Sequence, residues 1–114
     1  MRNETDGEQF CYVTTLGRQT GRPHTIEIWF GRQGDTIYML SGGADRSDWV
    51  KNIRANGKVT VRIGRQTFPG AGRVVEDSAE DATARRLLAD KYGRGQDLTR
   101  WLREALPVAI DLAR

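Results

Sequence analysis

The run Ile37–Gly64, IYMLSGGADRSDWVKNIRANGKVTVRIG, changes its hydrophobic period twice and so decides the fold. TIYMLS (36–41) is rich in β-branched and aromatic residues and reads as a strand. Two glycines follow. Trp49, Val50 and Ile53 then recur at helical spacing, with Ser47 or Asp48 placed to cap. Asn56-Gly57 is a stop signal, glycine offering a left-handed cap at little cost. KVTVRIG (58–64) returns to a period of two, with Val59, Val61 and Ile63 inward and Lys58, Thr60 and Arg62 outward.

Working outward, FCYVTTL (10–16) is a strand and HTIEIWF (24–30) another. The second puts Ile26, Ile28 and Phe30 on one face and Thr25, Glu27 and Trp29 on the other. GRQGD is turn-like and joins it to 36–41 as a hairpin. QTFPGAGRVVE (66–76) forms a second hairpin arm, with an edge or a bulge expected at Pro69-Gly70. A helix starts at Asp77 or Ser78, carries a stripe of Ala82, Leu87, Leu88 and Tyr92, and ends at Gly93 and Gly95. DLTRWLREAL (97–106) is a short helix and PVAIDLA (107–113) the last strand. Hairpins with helices inserted argue for a small α+β barrel, one domain over 10–114 behind a flexible arm, 1–9. They exclude a doubly wound parallel sheet, and neither GxGxxG nor GxxxxGK[ST] occurs.

The 114 residues suit one domain, and 38% hydrophobic with 29% charged residues is ordinary for a globular protein. A net charge of +3 favours an anionic partner without demanding nucleic acid. No basic stripe interleaved with aromatics and no nucleic-acid motif appears. Cys11 is the only cysteine, which rules out an intramolecular disulfide, and its apolar neighbours suggest a buried thiol. No apolar stretch approaches a membrane span of ~20 residues. The polar, acidic N-terminus is unlike a signal peptide, so a cytoplasmic protein is expected.

Chemistry concentrates at two turns. LGRQTGRPHT (16–25) holds Gly17, Gly21, Arg18, Arg22, Thr20 and the only histidine, His24. Glycines that bring backbone N–H groups forward, beside guanidinium forks, suit a phosphate or carboxylate. In SGGADRSDW (41–49) a strand end, two glycines and a helix start make a second anion seat, with Arg46 nearby. Trp49 is either a core anchor or a flat wall beside a ring system. Asn52 either reaches a ring carbonyl or nitrogen, or caps a neighbouring strand. No catalytic triad or metal-ligand spacing is present, so an enzyme of this sequence would take its chemistry from a cofactor.

These two stretches, YVTTLGRQTGRPHT and IYMLSGGADRSDWVKNIRANGKVTVRIG, resemble the deazaflavin-dependent nitroreductase family, W-V-K-N-I-R-A-N most specifically. The resemblance implies a split β-barrel of the FMN-binding type, a mainly antiparallel six-stranded sheet with two to three helices. It implies binding of coenzyme F-420, an 8-hydroxy-5-deazaflavin. Arg18, Gln19, Thr20 and His24, helped by Arg22, would hold the phosphate and acidic tail. Thr25, Ile26, Glu27, Ile28 and Trp29 would lie along the ring. Met39, Leu40, Ser41, Gly42 and Gly43 would offer backbone contacts, and Asp48, Trp49 and Asn52 would close the site.

The implied activity is hydride transfer from reduced F-420 to a small quinone, nitro or enone acceptor, with assistance from Ser41 and Trp29 and no metal. An FMN-dependent oxidoreductase and a non-catalytic binder of an anionic flavin-type cofactor are the alternatives. A homodimer with a small-molecule substrate is expected. Gln19 and His24 depart from the basic residues of the family pattern, the short arm replaces a leading helix, and no tyrosine stands close to Trp101 in GRGQDLTRW.

Overall fold

The computed structural model describes Thr5 and residues 7–113. The elements run β1 (Phe10–Leu16), β2 (Pro23–Trp29), β3 (Gly31–Gln33), β4 (Thr36–Ser41), a 3-10 turn (Ala44–Arg46) and α1 (Asp48–Ala55). They continue with β5 (Lys58–Ile63), β6 (Gln66–Val74), α2 (Ser78–Tyr92), α3 (Thr99–Glu104) and β7 (Leu106–Leu112). All seven strands join one sheet in the order β2-β1-β5-β6-β7-β4-β3, and every pairing is antiparallel. The strands at the two ends of that order, β2 and β3, are consecutive in the chain with only Phe30 between them. The sheet therefore curls back on itself into a split barrel, and Phe30, with no exposed surface, sits at the corner.

The strand count is seven rather than six. Gly31–Gln33 is not part of the turn; it pairs with Thr36–Tyr38 around the two-residue loop Gly34-Asp35. Gly34 has φ +61, as the first position of a tight primed hairpin turn requires.

The apolar run of β4 is buried on both faces. Ile37 and Met39 join Val13, Val61, Val108 and Ile110 inside the curl. Tyr38 and Leu40 pack outside with Ala84, Leu88 and Tyr92 of α2. A strand covered on both sides has no polar face, which is why TIYMLS does not alternate. The α2 stripe is Ala84, Leu88 and Tyr92, four residues apart, while Ala82 is exposed. Asp77 caps α2 as expected, its carboxylate accepting from the Glu80 N–H at 2.9 Å.

α1 packs against the inside of the curl through Val50 and Ile53. Two expectations about β6 and its neighbours need correction. Gly57 does not form a left-handed cap, since its φ is not positive. Glycine is needed because the β6 backbone passes too close: a Cβ there would lie 2.9 Å from the Gly72 carbonyl oxygen. Pro69 is not on an edge strand, because β6 lies between β5 and β7. The Pro69 carbonyl accepts from Ala113, one residue past β7. Its ring nitrogen faces the same way, so no N–H is missing from the ladder with β5.

Of the arm, residues 1–4 and 6 lie outside the described residues. Thr5 is buried, and its hydroxyl accepts from the Arg32 guanidinium at 3.1 Å.

Candidate functional site

The loop between β1 and β2 closes on itself. The Gly17 N–H donates to the Arg22 carbonyl and the Gly21 N–H to the Gly17 carbonyl, both at 2.8 Å. The Arg22 N–H donates to the Thr20 hydroxyl. Gly21 adopts φ +74, whereas Gly17 does not take a positive φ. A side chain at Gly17 would crowd His24 Nε2 at 3.0 Å and Thr20 Oγ1 at 3.1 Å. Among the described residues, the amides of Gln19 and Thr20 keep no protein partner.

Asn52 of α1 ties this loop down. Its side-chain oxygen accepts from the Arg18 backbone N–H at 3.2 Å and from Arg18 Nη1 at 2.9 Å. Its amide nitrogen donates to the buried Thr15 hydroxyl at 3.1 Å. Arg18 Nη2 also reaches Asp48 Oδ1 at 3.2 Å, at the first residue of α1. Arg18 thus bridges the loop and the helix start. The Arg22 guanidinium has no side-chain partner among the described residues. The Ser47 hydroxyl, at the N-cap of α1, turns away to Ser41 and caps no amide.

Between loop and helix lies a cavity of about 590 Å³, within the ~300–1,000 Å³ range of small-ligand sites. Ten of the predicted residues line it: Arg18, Gln19, Thr20, Arg22, His24, Thr25, Ile26, Asp48, Trp49 and Asn52. Gly17 joins them. His24, Thr25 and Ile26 are consecutive on β2, the strand at one end of the sheet order.

Glu27, Ile28, Trp29, Leu40 and Gly42 instead line a second cavity of about 390 Å³ further along β2. His24 and Trp29 are five residues apart on that strand, ~17 Å at strand spacing. Three residues that sequence reading did not assign complete this cavity: Phe10, Leu98 and Trp101. The signal available for Trp101 was its place in a short polar helix, where a large aromatic needs a partner. The tyrosine absent from the sequence near Trp101 arrives through space. Tyr92 stacks on Trp29 at 4.3 Å, and Trp101 stands edge-on to Trp29 at 5.6 Å.

Met39, Ser41 and Gly43 line neither cavity. The Met39 side chain is in the core. The Ser41 hydroxyl is buried and committed, donating to the Ala44 carbonyl at 3.2 Å and sharing a 3.0 Å bond with Ser47 Oγ. Cys11 is buried, and burial pushes its thiol up to about 12 despite the nearby Lys91 charge, so it remains a protonated thiol. Among the described residues no group of His, Cys, Asp and Glu is arranged to hold a metal, and no helix is long and apolar enough to cross a membrane.

A curled antiparallel sheet with a helix packed against its inner side defines a split-barrel protein. Solved structures agree on the fold. An F420-H2 dependent reductase (FDR-A) superposes with a TM-score of 0.73 at 21% identity, over 92% of this chain and 94% of its own. HutZ, a heme storage protein of Vibrio cholerae, gives 0.78 at 15% identity, over 100% and 92%. The chain belongs to the F420H(2)-dependent quinone reductase family, whose sequence profile matches residues 3–113. One curated relative is an F420H(2)-dependent quinone reductase of Mycobacterium tuberculosis (strain ATCC 25618 / H37Rv), 30% identical over 70 residues. That match takes in 59% of this chain and 47% of the relative, so the chain spans about half the length of the curated relatives it matches.

Proposed function

We propose that this protein binds reduced coenzyme F-420 along β2 and reduces a small organic acceptor, a quinone by preference, with hydride supplied by that cofactor. The observation that carries the reading is the composition of the first cavity. Arg22, whose guanidinium has no partner among the described residues, and Gln19 and Thr20, whose amides have none there either, line the same space as Trp49 and Ile26. Such a set fits a flat ring with an anionic tail.

In this arrangement Arg22, His24 and the loop amides take the negative charge of the tail. Arg18, pinned by Asn52 and Asp48, sets the loop's position and adds its own charge. Trp49 and Ile26 flank the ring and displace water from it. The β2 residues of this cavity, Thr25 and Ile26, would offer backbone groups to the ring's polar rim. The cofactor, when bound, supplies a two-electron hydride chemistry, and the chain contributes orientation and water exclusion. The proton completing reduction of the acceptor comes from solvent.

The protein acts in the cytoplasm as a homodimer in this reading. The exposed side chains of Thr60 and Arg62 on β5, opposite the core-facing Val59, Val61 and Ile63, are the surface offered to a second copy. Sedimentation velocity checks that part, a monomer at working concentration being the contrary result.

The function itself is tested by single-turnover oxidation of reduced F-420 by a water-soluble quinone. Acceleration that depends on the protein and is lost in Arg22→Ala is expected. Tight binding of F-420 without turnover of any quinone, nitro or enone acceptor would leave a cofactor carrier instead.

A further inference from the structure

The second cavity differs in character from the first. Its wall is an aromatic corner. Tyr92 covers one face of Trp29, with rings only 3° from parallel, and Trp29 also lines the cavity. Trp101 stands at 87° to Trp29. Phe10 and Leu98 add apolar surface, and Gly42 contributes no side chain. A flat ring placed in this corner would stack on one indole and meet the other at an angle, both favoured geometries.

Among the described residues one ionisable residue lines this cavity, Glu27, and it is exposed. Its carboxylate accepts from the Tyr12 hydroxyl at 2.6 Å. Arg62 sits 4.2 Å from the Tyr12 ring centre but does not line the cavity. A carboxylate on an otherwise apolar rim repels an anionic ligand at short range and leaves a neutral one unaffected.

We propose that this cavity is a separate subsite for a planar neutral ring, and that Glu27 is the specificity-determining residue that turns anionic rings away. That the ring is the electron acceptor rests on the function proposed above; that the cavity binds neutral rings does not. The two cavities divide the labour by charge: the first attracts anions and the second rejects them. An acceptor is thereby kept out of the cofactor's place, and an anionic tail out of the acceptor's.

The three tryptophans give a site-resolved test, because Trp49 lines the first cavity while Trp29 and Trp101 line the second. The 15N-labelled full chain, without cofactor, is titrated with 2-(hydroxymethyl)anthraquinone and with anthraquinone-2-sulfonate. The indole N–H signals are assigned by single Trp→Phe variants. The neutral probe is expected to move the Trp29 and Trp101 signals and leave Trp49 in place. The sulfonate should need roughly tenfold more to move the same two. Glu27→Gln, and independently Glu27→Ala, should narrow that gap to about twofold with the neutral probe's affinity kept. A neutral probe that moves only Trp49, or no indole, overturns the proposal. So does equal binding of the two probes to the unmodified protein, or a gap that survives both Glu27 variants. With no F-420 in the tube, these outcomes are independent of whether the cofactor binds.

Discussion

The side-chain oxygen of Asn52 accepts two hydrogen bonds from one residue, Arg18: its backbone N–H at 3.2 Å and its guanidinium at 2.9 Å. Asn52 is only 3% exposed. Asn52→Ala would strand the Thr15 hydroxyl and free the loop, costing about 1–3 kcal/mol of stability. Asn52→Asp restores the acceptor for Arg18 but loses the donor to Thr15, and should sit between the two in urea midpoint. F-420 affinity is expected to fall in both variants, more in Asn52→Ala, when followed by fluorescence titration.

Arg22 and Arg18 should behave differently, although both line the cavity. Arg18 bridges loop and helix, so Arg18→Ala lowers both thermal stability and cofactor affinity. Arg22 has no side-chain partner among the described residues, so Arg22→Ala should change stability by less than ~0.5 kcal/mol. It should nevertheless weaken F-420 binding by about 1–3 kcal/mol, the worth of a charge-assisted contact. Paired melting curves and titrations separate the two roles.

The acid limb of the stability curve should depend on Glu80. Its carboxylate accepts two bonds from Arg73, both 2.7 Å, and one from the Tyr38 hydroxyl at 2.7 Å. Arg73 chiefly, then Tyr38, pulls its pKa from 4.5 down to about 2. A folded pKa below the unfolded one adds stability that is complete above about pH 4.5 and lost as pH falls toward 2. Asp111, lowered mainly by the same Arg73, acts in the same sense. Urea midpoints measured from pH 6 to pH 2 should fall less steeply in Glu80→Gln than in the unmodified protein.

Much of the fold was legible because its signals are local. β1 spans Phe10–Leu16 as its β-branched run suggested, and Asp77 caps α2. What sequence hid depends on distant backbone. Gly57 carries the signature of a helix stop, yet its reason is the passage of Gly72, 15 residues later. The first cavity was legible since loop and helix each announce themselves in one short stretch. The second draws on β1, β2, β4, α3 and the loop before it, and no single window contains Phe10, Glu27, Gly42 and Trp101 together. From sequence alone Asn52 is compatible with a ligand contact or a strand cap; the fold shows it holding Arg18.

Gly57 supplies a further check. Gly57→Ala places a methyl 2.9 Å from the Gly72 carbonyl oxygen, which is backbone and cannot swing aside. A loss of about 1–3 kcal/mol in urea unfolding is expected. Gly34→Ala, strained by φ +61 but with open space around it, should cost about 1 kcal/mol.

The central claim is that the β1–β2 loop and the start of α1 jointly hold the anionic end of a deazaflavin. Side-by-side fluorescence titration of the unmodified protein and Arg22→Ala with F-420 and FMN, at low and high salt, tests it most directly. The account predicts saturable F-420 binding that weakens with salt, weakens further in Arg22→Ala, and is not displaced by equimolar FMN. FMN binding tighter than F-420, or an F-420 affinity indifferent to both salt and Arg22, would contradict it.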